Sequence, residues 1–307
     1  MKVPSKSEPR AEVHRVWFGK RAKEKRTCNI AKNTREIMNY EIITSAQTPK
    51  ITRLLQLQQK SSERRKAGLF VVEGIREVER CLEKGYEIDT VFSLSKPSQK
   101  EGCLDVSSII EKNKNIKVFE VSPAIYEKIA YRGSTEGVIA EVKTKDKTLK
   151  DLKLSENPLV VVLESVEKPG NLGAILRSAD AAGADALIVC DPLTDLYNPN
   201  LIRNSTGAIF SVPCVACTSE ECIKFLKENN IQILTAQLQD SELYYDTDMK
   251  RGTAIVMGTE ATGLTDIWRK AADAHIRIPM LGITDSLNVS VSAAILLYEA
   301  VRQRNSP

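Results

Sequence analysis

From residue 155 onward the chain alternates between two apolar patterns. Leu159–Leu163, Ala186–Val189, Ile231–Leu234 and Ala254–Met257 are unbroken apolar runs of strand length. Strands buried on both faces read this way, as a parallel sheet requires. Between them, Ala174–Ala182, Asn200–Phe210 and Cys222–Asn229 carry helical patterns, and an amphipathic run, Val289–Gln303, follows the last of the strands. The alternation predicts an α/β domain over residues 155–305, a parallel sheet with helices on both sides.

A smaller pattern precedes it. Ile51–Lys60 has apolar residues at helical spacing, Leu69–Val72 reads as a strand, and a helix over Ile75–Lys84 ends at Gly85, a residue suited to a left-handed cap. Strands are expected at Thr90–Ser93, Ile116–Phe119 and Gly137–Val142, with helical stretches at Val106–Lys112 and Pro123–Ala130. These elements predict a small α/β domain over residues 46–147, and the lysine-rich run Lys143–Lys153 reads as an exposed linker. Residues 1–45 are expected to be a basic, disordered extension.

Charge separates the ends of the chain. Residues 1–40 carry a net +7 and residues 41–66 a net +4, while the remainder carries −7. A polyanion would therefore meet mainly the first 66 residues. Lys60–Lys66 directly precedes a structured run, which marks Arg64, Arg65 and Lys66 as candidate contacts to RNA phosphates; the alternative is a solvated helix face. No apolar run reaches 18 residues and the N-terminus lacks the apolar stretch of a secretory signal, so neither a membrane span nor export is expected. Seven cysteines, an odd number, fit reduced thiols and a cytoplasmic location better than a disulfide framework. Cys214 and Cys217 have metal-like spacing, but with no second pair and only two histidines no metal site is expected.

Three glycine-bearing segments carry candidate chemistry: Glu167–Arg177, Val256–Leu264 and Ile278–Ser292. Each lies where a strand gives way to a loop and then a helix, the position at which open α/β sheets bind ligands. In the first, Pro169-Gly170 makes a turn and Asn171 is placed to cap the helix that carries Arg177. The simplest alternative for Arg177 is an ion pair with Asp180. In the second, Glu260 stands between glycines whose backbone can approach a ligand closely; the alternative is a solvent-facing carboxylate. In the third, Ser286 and Asn288 are candidates for the reaction site; the alternative for each is the cap of the last helix. The first strand of the domain ends in Glu164-Ser-Val-Glu-Lys-Pro-Gly170, without the Gly-x-Gly of Rossmann-type methyltransferases and dehydrogenases.

Together the three segments resemble the SpoU/TrmH family of S-adenosylmethionine-dependent RNA ribose methyltransferases, within the SPOUT superfamily. The resemblance includes the 20-residue gap from Gly258 to Ile278, and departs from the usual pattern at Ser292, where alanine is common. It implies a trefoil knot in the C-terminal domain, which periodicity does not reveal, and transfer of a methyl group from S-adenosylmethionine to a ribose 2′-hydroxyl. The N-terminal unit, through Phe70–Arg76 and Arg132–Val138, resembles the small ribosomal-protein-like RNA-binding domain that precedes many such enzymes, adding Arg76 to the expected RNA contacts. Residue by residue, the family pattern falls on Asn171, Gly173 and Arg177 in the first segment. It marks Asn171, Arg177, Glu260, Ser286 and Asn288 as catalytic, and Gly258, Gly263, Ile278, Met280 and Leu287 as the cofactor site. Arg177 is implicated in handling the 2′-hydroxyl; whether it removes the proton or positions the sugar stays open, since a guanidinium is a poor base. The implied substrate is ribosomal RNA of the 23S type, with transfer RNA as the alternative, and the implied assembly is a homodimer. The apolar face of Ala293–Tyr298 is a candidate interface, and an intramolecular core would read identically. Rival readings are an RNA-binding protein that has lost catalysis and a nicotinamide dehydrogenase. The intact polar set argues against the first and the missing Gly-x-Gly against the second.

Overall fold

The computed structural model describes residues 41–94, 116–131, 137–260 and 262–306. Residues 1–40, the helix expected at Val106–Lys112 and most of the Arg132–Val138 segment lie outside the described residues.

The small domain is a five-stranded mixed sheet. Its elements are β1 (Glu41–Ile43), α1 (Pro49–Gln59), α2 (Ser61–Ala67), β2 (Leu69–Glu73), α3 (Ile75–Glu83), β3 (Ile88–Leu94), β4 (Lys117–Val121), α4 (Pro123–Ile129) and β5 (Val138–Lys143). The strand order is β1-β4-β3-β5-β2. Pro49 occupies the first turn of α1, where a missing N–H costs nothing, and Ile51, Leu54 and Leu57 then line one buried stripe. Gly85 takes φ +71° after α3, as its place in the sequence suggested. The expected extension reaches too far: Glu41–Ile43 pairs in parallel with β4, and Ile43 is buried.

The second domain comprises β6 (Leu159–Glu164), α5 (Pro169–Ala181), β7 (Ala186–Cys190), α6 (Pro199–Ser205), α7 (Ala208–Ser211), β8 (Cys214–Cys217), α8 (Ser219–Glu228), β9 (Gln232–Ala236), β10 (Glu242–Leu243), β11 (Thr253–Met257), α9 (Asp266–Ala271), β12 (Ala274–Arg277) and α10 (Val289–Asn305). Its seven strands run in the order β10-β12-β9-β11-β6-β7-β8, every pairing parallel. Period-two alternation sends Leu159, Val161 and Leu163 into the core shared with α5 and α10, and Val160 and Val162 into the core shared with α8 and Trp268.

The helix expected over Asn200–Phe210 is broken in two. Thr206 and Gly207 turn left-handed, with φ +49° and +85°. A Cβ on Gly207 would lie 2.6 Å from Cδ of Arg80, a residue of the small domain, whose guanidinium donates to the Thr206 carbonyl at 2.7 Å. The domains meet across one continuous core, in which Phe70 stacks on Tyr197 with ring centroids 4.3 Å apart. The linker is pinned too, because the Tyr197 hydroxyl accepts from the Lys145 N–H and donates to its carbonyl.

Arg64 corrects the sequence reading. It is 3% exposed and donates to Asp195 at 2.6 Å and to the Leu57 carbonyl at 2.6 Å, so it fastens the domains together and does not face solvent. Arg65, Lys66 and Arg76 are exposed.

Candidate active site

Parallel pairing decides where the three segments go. β6 and β11 are neighbours with Leu163 opposite Met257, so the loops that leave them emerge side by side at one sheet edge. The loop after β6 enters α5 at Pro169, whose fixed φ starts the helix with Lys168 as its cap residue. Asn171 is therefore inside the first turn, not the cap that its sequence position suggested, and its amide is free for other partners.

The loop after β11 doubles back on itself. Thr259 and Gly263 form an isolated antiparallel bridge, and the Thr262 N–H donates to the Thr259 hydroxyl at 3.0 Å. Gly263 closes the turn at φ +68°, where only glycine sits without strain. A Cβ on Gly258 would stand 2.2 Å from the Gly263 carbonyl oxygen. After β12, residues 281–288 are exposed, and Asn288 caps α10 by accepting from the Ser290 N–H at 3.0 Å.

Glu260 joins the three loops. Its Oε1 accepts from Asn171 Nδ2 at 3.1 Å and from Asn288 Nδ2 at 2.9 Å, and its Oε2 accepts from Lys168 Nζ at 2.8 Å. Asn288 also donates to Asn171 Oδ1 at 3.2 Å, so it caps its helix and links the loops at once. Lys168, together with the Val289 N–H and Asn171, holds the Glu260 carboxyl below its ordinary range, and Glu260 in turn raises Lys168. A carboxylate with four donors is a scaffold anion and a poor proton acceptor. Its pKa is depressed from 4.5, so its contribution is present above that value and lost as pH falls through the folded pKa; that of Lys168, raised from 10.5, is present below that value and lost as pH rises through its own. Between those limits neither group titrates. The expected pH–rate profile carries no limb from this pair near neutrality, and a limb there that Glu260→Gln removes would refute it.

Arg177 and Ser286 do not join this cluster. Arg177 is exposed on α5, about 120° around the axis from Asn171, and makes no ion pair with Asp180. The Ser286 hydroxyl donates to Asp285. Lys168 was missed by the sequence reading; its one signal was a cation immediately before the helix-starting proline. Of the residues expected to hold a cofactor, Gly258, Ile278 and Met280 are half-buried, while Gly263 and Leu287 are exposed. Leu281 and Ile283 beside them are almost wholly exposed. A tight, internally bonded turn next to exposed apolar side chains suits a ligand with a flat heterocycle.

The chain belongs to the SpoU rRNA Methylase family. That family matches residues 158–298, and the MRM3-like substrate binding domain matches residues 48–140. The 23S rRNA (uridine(2479)-2′-O)-methyltransferase of Streptomyces viridochromogenes is 31% identical over 80% of this chain and 86% of its own length. The 23S rRNA (guanosine-2′-O-)-methyltransferase RlmB of Blochmanniella floridana is 34% identical over 76% of this chain and 95% of its own. Among solved structures, an AdoMet-bound rRNA methyltransferase from Sinorhizobium meliloti superposes with a TM-score of 0.79 at 28% identity, over 87% of this chain and 99% of that one.

Proposed function

We propose that this protein transfers a methyl group from S-adenosylmethionine to a ribose 2′-hydroxyl of ribosomal RNA of the 23S type. The observation that carries the reading is the Glu260 hub, which ties three separate loops into one edge site through Lys168, Asn171 and Asn288. Relatives acting on 23S rRNA support it on both domains. The backbone around Gly258, Gly263, Ile278, Met280 and Leu287 would hold the cofactor, with the exposed apolar side chains of Leu281, Ile283 and Leu287 beside it for the adenine plane. When bound, the cofactor supplies an electrophilic methyl group. The protein's share is alignment, which supplies most of the rate in such a transfer. Asn171, Asn288 and Glu260 fix the loops, Ser286 stands at the mouth, and exposed Arg177 addresses the ribose and its neighbouring phosphate.

The same proposal includes a homodimer, a trefoil knot and a cytoplasmic site of action. For the dimer, the expected Ala293–Tyr298 face is largely spent internally, since Ala293, Leu296 and Leu297 are buried; Val291 and Tyr298 remain exposed, and with Leu281, Ile283 and Leu287 they offer the apolar surface. For the knot, support comes from the match of residues 158–298 to the SpoU family. For the location, the five cysteines among the described residues, all free thiols, fit a compartment that keeps thiols reduced. Among the described residues no helix is long and apolar enough to cross a membrane.

Mapping ribose methylation across ribosomal and transfer RNA, with and without the protein, tests the reading. A single 23S-type site that depends on the protein is expected, and a site in transfer RNA only would replace the substrate. RNA docking is tested separately. Arg65→Ala with Lys66→Ala should weaken RNA binding and lower its salt slope by about 2. Arg64→Ala should instead cost roughly 1–3 kcal/mol of stability by leaving half-buried Asp195 and the Leu57 carbonyl without their donor, read as a lowered denaturation midpoint. A reversed pattern would return Arg64 to the RNA surface.

A further inference from the structure

Away from the Glu260 hub, three cysteines distant in sequence meet. Cys190 ends β7, Cys217 ends β8, and Cys222 lies in the first turns of α8. β7 and β8 pair in parallel with Cys190 opposite Cys217. The three Sγ atoms all lie within 4.8 Å of one another; Cys190 and Cys222 are fully buried and Cys217 is half-buried. The pair that looked metal-like in the sequence is a different one. Residues three apart on a strand face opposite ways, so Cys214 points into the α5-side core while Cys217 joins the trio on the other face.

We propose that Cys190, Cys217 and Cys222 form a binding site for a single thiophilic d10 cation, of the Zn2+ or Cu+ class. Thiolates select such ions over the harder ones. Around an ion with metal–sulfur bonds of about 2.3 Å, three sulfurs stand roughly 4 Å apart, so the trio has to contract by less than an ångström, within reach of small χ1 adjustments. Cys222 is the fourth residue of a ten-residue helix, and the positive end of the helix dipole favours a thiolate there. Binding displaces the thiol protons to solvent as three metal–sulfur bonds form. The neighbouring carboxylates do not supply a fourth ligand: Asp191 accepts from the Ser219 hydroxyl, and Glu221 from the Thr218 N–H. Cu+ is satisfied by three sulfurs, whereas Zn2+ would take a water through the accessible side of Cys217. Either ion would clamp the ends of β7 and β8 to α8. The Cys190 carbonyl accepts from the Ser165 N–H at 2.9 Å, so the clamp lies one hydrogen bond from the loop that leads into α5.

The test uses the full chain, reduced and stripped by chelator, with Cys28→Ser and Cys103→Ser to silence the two thiols outside the described residues. Zn2+, Co2+ as its coloured substitute, and Cu+ are titrated in separate arms. One equivalent per chain is expected in at least one arm, with thiolate charge-transfer absorption and a raised Tm; the arm that binds names the ion. Cys217→Ser, the mildest change at the site, should weaken binding about a hundredfold or more, while Cys214→Ser leaves it unchanged. As a readout that needs no variant, bound metal should slow alkylation of Cys217. No stoichiometric uptake in any arm, or uptake indifferent to Cys217→Ser, overturns the proposal. So does a Cys190–Cys217 disulfide in the isolated protein that gives no metal uptake once reduced.

Discussion

Gly258→Ala should weaken uptake of S-adenosylmethionine about tenfold to a hundredfold in a protein that still folds. The methyl group would stand 2.2 Å from the carbonyl oxygen of Gly263, 2.3 Å from its carbonyl carbon and 2.6 Å from the Leu264 nitrogen. All three are backbone atoms, so no rotamer change relieves the clash and the turn must open. Overpacking of this kind costs about 1–3 kcal/mol, which is roughly a tenfold to hundredfold loss if it falls wholly on the ligand-bound conformation. The strands beneath are untouched, and Tm should fall far less than affinity does. Calorimetry with the cofactor, paired with a melting curve, checks both. Gly263→Ala makes the internal comparison: nothing lies within 4 Å of its added Cβ, so only the strain of φ +68° remains. It should be the milder lesion. Unchanged affinity in Gly258→Ala would mean that this turn is not the cofactor's cradle.

Arg177→Ala should abolish methylation while leaving cofactor affinity and Tm nearly as they were. The side chain is exposed on α5 and makes no ion pair with Asp180, so truncating it strands no buried partner. Its whole contribution is then available for the RNA. Losing one preorganised donor at a reacting centre costs about a hundredfold to a thousandfold in rate. Arg177→Lys keeps the charge without the planar fork and should fall between the two. Single-turnover rates with cofactor saturating separate the effects. Parallel loss of binding and rate would assign Arg177 a structural role.

What the sequence made legible was local and periodic. The runs Leu159–Leu163 and Ala254–Met257 became adjacent central strands because a doubly buried strand has no polar face to disguise it. The Glu260, Asn171 and Asn288 positions also converged, since a parallel sheet gathers the loops that follow its strands. What stayed hidden depended on partners remote in the chain. Arg64 looks like any member of a basic cluster until Asp195, far along the sequence, is brought beside it. Asn200–Phe210 keeps helical spacing through its break, because the break answers to Arg80 of the other domain. Asn171 favours a cap by residue type, but Pro169 starts the helix two residues earlier and places Asn171 inside the first turn. Short or polar elements such as α2, β8 and β10 carry too little pattern to be seen.

The seam at Gly207 limits how this protein can be recombined. Arg80 fills the notch that glycine leaves, Arg64 grips Asp195, and Gly173 lets α6 press against α5 so closely that an added Cβ would lie 2.7 Å from Cβ of Asn204. Receptor and key are thus encoded in different halves of the polypeptide. A chimera that swaps either half for a relative's would have to carry Asp195, Thr206 and Gly207 as a matched set with Arg64 and Arg80. Otherwise the graft would tether an RNA-gripping module to a catalyst it no longer aims.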